Sequence, residues 1–180
     1  MLVKYDNFYP QVSNKAFIAS SACVIGDVTI DENSSIWFNA VIRGDVAGIR
    51  IGKNTNIQDN STVHVARAIK DSNGVEISPK IDCIIGDGVT IGHNSIIHAC
   101  KINSNVLVGM GSTVMDGVEI GENSIVAANS LVTKNKIFPP NSLIQGSPAK
   151  LIRTLNDDEI KAIKEQALEY IEVSKNYLKG

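Results

Sequence analysis

The chain has 180 residues, a length typical of one domain. Its 17 Lys and Arg against 19 Asp and Glu give a formal net charge of −2, so it lacks the basic surplus expected of a protein that binds nucleic acid or anionic membranes. With 25 Ile and 17 Val against 8 Leu, it is rich in the β-branched residues that favour strands. These counts predict a strand-rich protein with no nucleic-acid partner and no membrane partner.

The N-terminal residues show no charged stretch followed by an apolar run, which is the pattern of a secretory signal. Cys23, Cys83 and Cys100 are odd in number and have no CxxC spacing. We therefore expect a reduced, cytoplasmic protein whose cysteines fill space, in preference to a zinc–thiolate site or a disulfide framework.

A period of six runs through most of the chain. Seventeen of eighteen aligned positions are Ile or Val, and the set is Ile18, Val24, Ile30, Ile36, Ile42, Ile51, Ile57, Val63, Ile85, Ile91, Ile97, Ile102, Val108, Val114, Ile120, Val126, Val132 and Phe138. An amphipathic helix would repeat at three and four, whereas a period of six describes short strands joined by tight corners.

Three such hexads make one triangular coil, and coils stacked at about 4.8 Å pair each strand with those above and below it. The eighteen hexads therefore predict an all-β fold, a parallel β-helix of about six coils that occupies residues 1–155. The Gly and Asn residues between hexads, as in Gly52-Lys53-Asn54 and Gly121-Glu122-Asn123, fit corners that need a positive φ.

Three irregularities interrupt the repeat. The step from Ile42 to Ile51 is nine and the step from Ile97 to Ile102 is five, so the corners at both places should be altered. The segment 66–84 contains Asp-Ser-Asn-Gly and Ser-Pro and is interpreted as an excursion loop from one corner.

After Phe138 the chain leaves the repeat through Pro139-Pro140, and residues 156–180 are predicted to form a helix. Asn156 and Glu159 have the spacing of a capping box. One face of this helix carries an apolar stripe that should pack on the prism or on another subunit. The stripe is Ile160, Ile163, Ala167, Tyr170, Ile171, Ser174 and Leu178.

The repeat separates the three histidines into a pair and a single residue. His64 follows Val63 and His98 follows Ile97. These are one coil apart if the loop replaces no hexad, so both rings should project from one face at a spacing that suits a shared metal ion. His93 belongs to another corner. In a three-fold trimer, His93 of one subunit can meet the pair of the next, which leaves one coordination position open, as in catalytic zinc sites. Three histidines that bind no metal are the alternative.

These residues resemble the gamma-class carbonic anhydrases and related bacterial hexapeptide-repeat proteins over roughly residues 10–155. The matching stretches are Arg43-Gly44-Asp45, Asn56-Ile57-Gln58-Asp59, Val63-His64-Val65, Ile91-Gly92-His93-Asn94-Ser95 with His98, and Gly146-Ser147-Pro148-Ala149-Lys150. The resemblance implies a left-handed β-helix and a homotrimer. It also implies three metal ions between subunits, each held by His64 and His98 of one chain and His93 of its neighbour.

The resemblance also implies roles around the metal. Arg43, Asp45 and Asp59 match a network that ties subunits together near it. Gln58 and Asn56 match residues that orient the metal-bound hydroxide and the substrate, with a hydrogen-bonded ladder as the alternative. Tyr170 resembles a tyrosine that reaches the metal pocket from the C-terminal helix, and a core position is its alternative.

The implied activity is reversible hydration of CO₂ to bicarbonate by a zinc-bound hydroxide, with cobalt or iron as other possible metals. Fast members of the family carry proton-shuttle glutamates where this chain has Val46 and Arg67, so hydration is expected to be slow. Glu76 in the loop is a candidate substitute.

Two other functions stay open at this point. Many hexapeptide-repeat proteins are acyltransferases that use one histidine as a base, and the Gly146–Lys150 exit resembles theirs as well. The fit of all three histidines to ligand positions argues against a free base. A non-catalytic trimeric metal-binding module is the third hypothesis, which the missing glutamates favour.

Overall fold

The computed structural model of the chain describes residues 1–178. It contains one helix, α1 (Asp157–Leu178), preceded by short strands. The strands in chain order are β1 (Leu2–Val3), β2 (Gln11–Val12), β3 (Phe17–Ile18), β4 (Cys23–Ile30), β5 (Ser35–Ile36), β6 (Val41–Ile51), β7 (Asn56–Ile57), β8 (Thr62–His64), β9 (Ile69–Lys70), β10 (Glu76–Ser78), β11 (Cys83–Ile85), β12 (Thr90–Ile91), β13 (Ile96–His98), β14 (Lys101–Ile102), β15 (Leu107–Val108), β16 (Thr113–Val114), β17 (Glu119–Ile120), β18 (Ile125–Val126), β19 (Leu131–Val132), β20 (Ile137–Phe138), β21 (Ser142–Gly146) and β22 (Ala149–Thr154).

The strands stack in parallel on three faces, which confirms the predicted β-helix. The first face runs β1-β4-β6-β8-β13-β16-β19 and the second runs β2-β4-β6-β11-β14-β17-β20, with β4 and β6 long enough to cross the corner between them. The third face runs β3-β5-β7-β12-β15-β18-β21, and β22 joins it as an eighth, antiparallel strand.

Each face has seven parallel rungs, one more than the six coils predicted. The extra rungs come from Leu2 and Val12 before the counted hexads and from Ile144 after them. Ile144 lies one hexad beyond Phe138, so the two prolines turn a corner without ending the repeat. The predicted count was low because it began at Ile18, after Leu2 and Val12, and stopped at the prolines before Ile144.

The hexad side chains fill the interior of the prism. Seventeen of the eighteen predicted positions are buried, and the half-buried Ile18 is the exception. Serine hydroxyls close the corners from inside, as where Ser34 Oγ donates to the Gly52 carbonyl at 2.6 Å and Ser61 Oγ to the Gly92 carbonyl at 3.0 Å. Among residues 1–178, every buried side-chain nitrogen and oxygen has a hydrogen-bond partner.

Asparagine takes the positive φ at most corners. Ten asparagines have φ between 55° and 61°, and they are Asn33, Asn39, Asn54, Asn60, Asn94, Asn105, Asn123, Asn129, Asn135 and Asn141. Several corner glycines are needed for a different reason, close stacking: a Cβ on Gly121 would lie 2.3 Å from the backbone nitrogen of Pro140 in the next turn.

The two irregular steps of the repeat alter only the corners at which they occur. The nine-residue step is absorbed by β6, whose register against β4 shifts between Gly26 and Val28. The five-residue step turns at Ala99, which has a φ of 48°.

The excursion loop is a small hairpin. β9 and β10 pair in antiparallel register, and a bridge between Ala66 and Ile81 closes its base. The prism resumes at Cys83, inside the predicted 66–84 segment. The loop replaces no hexad, because Val63 pairs with Ile97 across it.

Helix α1 lies on the third face of its own chain. Ile163, Ala167 and Ser174 are its buried residues. Asn156 Oδ1 accepts from the Glu159 backbone N–H and Glu159 Oε2 accepts from that of Asn156, both at 2.9 Å, which is a capping box. Residues 179–180 of the predicted helix 156–180 lie outside the described part of the chain. Within residues 1–178, no helix has the length and apolar character needed to cross a bilayer.

Candidate metal centre

The candidate site residues fall into two clusters on one chain. The first, which we name the histidine cleft, is a cavity of about 300 Å³ lined by Arg43, Asp45, Val46, His64, Val65, Ala66, Arg67, Ile69 and His98. The second, which we name the helix groove, is a cavity of about 340 Å³ between α1 and the third face, and its lining includes Gln58, Thr90, His93 and Tyr170. The two cavities share no lining residue.

His64 and His98 stand on adjacent turns at paired positions of β8 and β13. His64 Nδ1 lies 3.2 Å from His98 Nε2. The opposite nitrogens point at carboxylates: His64 Nε2 is 3.0 Å from Asp45 Oδ1, and His98 Nδ1 is 2.5 Å from Asp116 Oδ1. Each ring is therefore held between a carboxylate and the other ring.

Each carboxylate is also held by a cation through its second oxygen. Asp45 Oδ2 is bound by Arg43, and Asp116 Oδ2 lies 2.7 Å from Lys134 Nζ. Burial acts to raise the pKa of both aspartates, but hydrogen bonds from the histidines and from these cations outweigh it, and both pKa values are lowered. Both groups are therefore ionised acceptors at neutral pH.

The pKa of His64 is lowered, mainly because burial disfavours the charged ring, with Arg43 and His98 acting in the same sense against the hydrogen bond and charge of Asp45. His64 is thus neutral at pH 7. Because a carboxylate only accepts, the nitrogen facing Asp45 carries the proton and the one facing His98 carries a lone pair.

Asp116 likewise only accepts, so the hydrogen between it and His98 lies on Nδ1 of the ring. The Nε2 atom of His98 therefore faces the His64 lone pair, and a proton or a cation can lie between the two nitrogens. Their 3.2 Å separation is close to the edge of a tetrahedron with zinc–nitrogen bonds, about 3.3 Å. The pair therefore fits two positions of a zinc site. Within the described residues, no three His, Cys, Asp or Glu side chains lie close enough together to hold a metal ion.

His93 lies in the other cluster, paired with Asp59 at 2.7 Å between Nδ1 and Oδ2. Gln58 Nε2 donates to Asn56 Oδ1 at 3.1 Å, and Asn56 Nδ2 donates to Thr90 Oγ1 at 2.8 Å. All three members of this ladder are buried. The helix groove thus has a fixed polar floor beside a histidine–carboxylate pair.

Tyr170 both packs and lines the groove. Its ring meets Trp37 edge-on at 5.5 Å between centroids, and it shares the cavity with His93 and Gln58. Burial raises the pKa of its hydroxyl, as does the nearby charge of Asp59, so the group stays protonated at neutral pH.

The two positions that lack shuttle glutamates, Val46 and Arg67, both line the histidine cleft. Glu76 lies on β10 of the exposed hairpin and is not among the residues that line the cleft.

Comparison with known proteins identifies the family. A family profile described as "Bacterial transferase hexapeptide (six repeats)" matches residues 99–134. The chain is 45% identical over 166 residues to "Gamma carbonic anhydrase 2, mitochondrial" of Arabidopsis thaliana, covering 92% of this chain but only 57% of that protein. It is 49% identical over 163 residues to "Probable carbonic anhydrase" of Methanocaldococcus jannaschii, covering 91% of this chain and 95% of that protein. The chain belongs to the gamma-class carbonic anhydrase-like family of hexapeptide-repeat proteins.

A solved structure supports the fold. The chain superposes on a hexapeptide transferase family protein from Anaplasma phagocytophilum with a TM-score of 0.88 and 44% identity, covering 98% of this chain and 97% of that one. That title names a transferase family, so fold and title together do not separate the activities found in hexapeptide-repeat proteins.

The sequence analysis did not predict three residues that contact the site residues, namely Asp116, Lys134 and Thr90. A signal was present for Lys134, which lies 18 residues after Asp116, the length of one regular coil. The coil after His98 has only 17 residues, since Ile97 pairs with Val114, so Asp116 is one residue out of register with His98 and the period does not indicate their contact. Thr90 is one residue before Ile91 and pairs with Asn56 on the adjacent turn.

Proposed function

We propose that this protein is a metal-dependent carbonic anhydrase that interconverts CO₂ and bicarbonate at sites shared between the subunits of a homotrimer. The observation that carries the proposal is the pair of imidazole nitrogens 3.2 Å apart, each ring backed by a carboxylate. Membership of the carbonic anhydrase-like family supports the choice of reaction.

The third ligand in this proposal is His93 of a neighbouring subunit. His93 is held by Asp59 in a cavity separate from the other two histidines, so a second chain is needed to complete the set. A three-fold axis brings the two clusters of adjacent chains together three times. Three imidazoles and an open position suit zinc, with cobalt or iron as substitutes.

A metal ion held there would lower the pKa of a bound water to about 7 and so supply hydroxide at neutral pH for attack on CO₂. The chain's own groups set the surroundings. Because its amide nitrogen is used by Asn56, Gln58 keeps its oxygen free to orient a hydroxyl or a substrate. Tyr170 offers a protonated hydroxyl in the same groove, and Arg43, Asp45 and Asp59 fix the histidines near the subunit contact.

The proposal includes slow hydration. Regeneration of hydroxide requires a proton to leave, and a valine and an arginine occupy the cleft positions of the family's glutamates. Neither Val46 nor Arg67 can accept a proton at neutral pH. Buffer in solution would therefore carry much of the proton transfer.

The test is elemental analysis of anaerobically purified protein, combined with CO₂ hydration measured before chelation, after chelation and after metal return. We expect about one metal per chain, loss of hydration on chelation and recovery on return. His98→Ala should lose both metal and hydration, whereas Lys136→Ala, at an exposed corner that lines neither cavity, should keep both.

Three other outcomes overturn the proposal in different directions. A protein that never binds stoichiometric metal is not a metalloenzyme of this kind. Metal binding without hydration, with or without added buffer, favours the non-catalytic module. Metal-independent acyl transfer that His93→Ala abolishes favours an acyltransferase, in which the His93–Asp59 pair would serve as a general base.

The proposed location is the cytoplasm. Cys23, Cys83 and Cys100 are free thiols, which fits a reducing compartment.

A further inference from the structure

Asp116 and Lys134 are not assigned to any role by the sequence or by the comparisons, yet they continue the histidine pair along the prism. His98, Asp116 and Lys134 are spaced by 18 residues and lie on three successive turns. His98 Nδ1 is 2.5 Å from Asp116 Oδ1, and Asp116 Oδ2 is 2.7 Å from Lys134 Nζ. The contacts form one column on the surface of the β-helix.

This column mirrors the one on the other side of the pair. Arg43 binds Asp45 Oδ2, and Asp45 Oδ1 faces His64 Nε2. On both sides the cation contacts Oδ2 of the aspartate and the imidazole nitrogen contacts Oδ1. The two histidines are therefore bracketed by two cation–carboxylate pairs, one from the turn below and one from the turns above.

We propose that Asp116, clamped by Lys134, is a positioning residue for metal binding: it fixes the Nδ1–H form of His98 and so presents the Nε2 lone pair to the metal. This inference rests on the proposed function only in that the site must bind a metal. It adds to the three histidines an aspartate that fixes the position of the proton on His98.

The physical basis is the choice between two forms of a neutral imidazole. An unsupported ring places its proton on either nitrogen, and the form with the proton on Nε2 cannot bind metal through that atom. A carboxylate at 2.5 Å from Nδ1 favours the binding form and limits rotation of the ring. Carboxylate partners of this kind typically change metal affinity by about 10- to 100-fold.

Lys134 limits the freedom of Asp116 in turn. The Asp116 side chain is 21% exposed and that of Lys134 is 57% exposed, so the lysine covers the carboxylate from the solvent side. Without it, Asp116 can rotate towards water and release His98. The lysine should therefore matter less than the aspartate, since water can partly replace it.

The experiment measures zinc affinity of the full-length protein by competition with a chromophoric chelator, and the protonation form of His98 by ¹⁵N NMR of the metal-free protein. Asp116→Asn should weaken zinc binding by about 10- to 100-fold and reduce the Nδ1–H population of His98. Lys134→Met should weaken binding by a smaller factor, about 2- to 10-fold, with Asp116 still present.

Glu119→Gln is the matched control. Glu119 forms the same kind of inter-turn ion pair with Lys101, at 2.7 Å and also 18 residues apart, but contacts no histidine. If the only role of Asp116 is to join turns, its variant and Glu119→Gln will lower the melting temperature alike and leave zinc affinity unchanged. That result, or an unchanged His98 spectrum, overturns the inference.

The outcomes separate this inference from the proposed function. If wild-type protein binds neither zinc nor cobalt nor iron, the proposed function fails, and the inference fails with it. If wild-type protein binds zinc and Asp116→Asn binds it within twofold as well, only the role of Asp116 is wrong. If Asp116→Asn does not fold, Lys134→Met decides the question, because it leaves the carboxylate in place.

Discussion

At the scale of the residue, asparagine and isoleucine occupy different positions of the prism. An asparagine at a corner tolerates a φ near 57° that would strain a β-branched residue. Isoleucine fills the interior because its branched side chain fits a pleated, fully buried surface. Position within the hexad therefore decides which residue type is stable there, and this is why the composition is so uneven.

We predict that alanine substitutions of two isoleucines on the same face lower the free energy of unfolding by different amounts. Ile120 is fully buried, and the paired strand carries Ile137, which is 76% exposed. Ile120→Ala should lower the free energy of unfolding by about 2–5 kcal/mol because it leaves a cavity, whereas Ile137→Ala should change it by less than about 0.5 kcal/mol. Urea unfolding followed by circular dichroism measures both, and equal losses would contradict the inside–outside assignment.

At the scale of the element, helix α1 depends on its first turn and on aromatic contacts of Tyr170 and Tyr177 with the prism. Asn156 and Glu159 form a capping box at the N-terminus of the helix. Arg153 of β22 donates two hydrogen bonds to the Glu159 carboxylate, from Nη1 to Oε2 at 2.8 Å and from Nη2 to Oε1 at 2.7 Å. Tyr170 packs on Trp37. These contacts connect the helix to the prism and place its side chains over the helix groove.

We predict that the helix cap is sensitive to pH. Arg153 and the Asn156 backbone lower the pKa of Glu159 from 4.5 to about 2. A folded-state pKa below the unfolded one gives stabilisation that is present above pH 4.5 and is lost as the pH falls towards 2. Glu159→Gln should therefore be less stable than wild type at pH 7, and the difference should shrink at pH 2–3 in urea unfolding.

Glu165→Gln is the control for the helix cap. Glu165 lies on the same helix and pairs only with Lys161, at 3.6 Å, an exposed contact of small effect. It should show little difference from wild type at either pH. A wild-type-like Glu159→Gln at pH 7 would show that the charge of Glu159 contributes nothing to stability.

At the scale of the whole molecule, one chain carries two incomplete halves of the proposed site. The pair of histidines and the His93–Asp59 pair line different cavities. The proposed trimer thus supplies the ligand that each half lacks.

Mixing of defective subunits tests the shared site. His93→Ala chains keep His64 and His98, and His64→Ala chains keep His93, so neither homotrimer should bind metal at full stoichiometry. Co-expression should restore about a quarter of the sites by random assembly. The readouts are metal content and hydration of the mixed protein, and a sum of the two separate backgrounds would rule out a site between subunits.

The sequence by itself determined the prism, because a hexad is a local repeat in which the chemistry of each position specifies inside, outside or corner. It also predicted that His64 and His98 meet, on the condition that the loop replaces no hexad, and the pairing of Val63 with Ile97 in the structure meets that condition. It fell short at both ends of the repeat, because Val12 lies one hexad before Ile18 and Ile144 lies one hexad beyond Phe138, past the two prolines.

Only the tertiary structure decided which atoms the histidines face. The corner after His98 is shortened and turns at Ala99, so the contact with Asp116 depends on side-chain direction and on the exact path of that corner, neither of which a period reports. The same holds for Arg43 with Asp45 and for Tyr170 on Trp37. A repeat fixes the positions of backbones, whereas the hydrogen bonds that select one form of an imidazole depend on distances of a few tenths of an ångström between side chains.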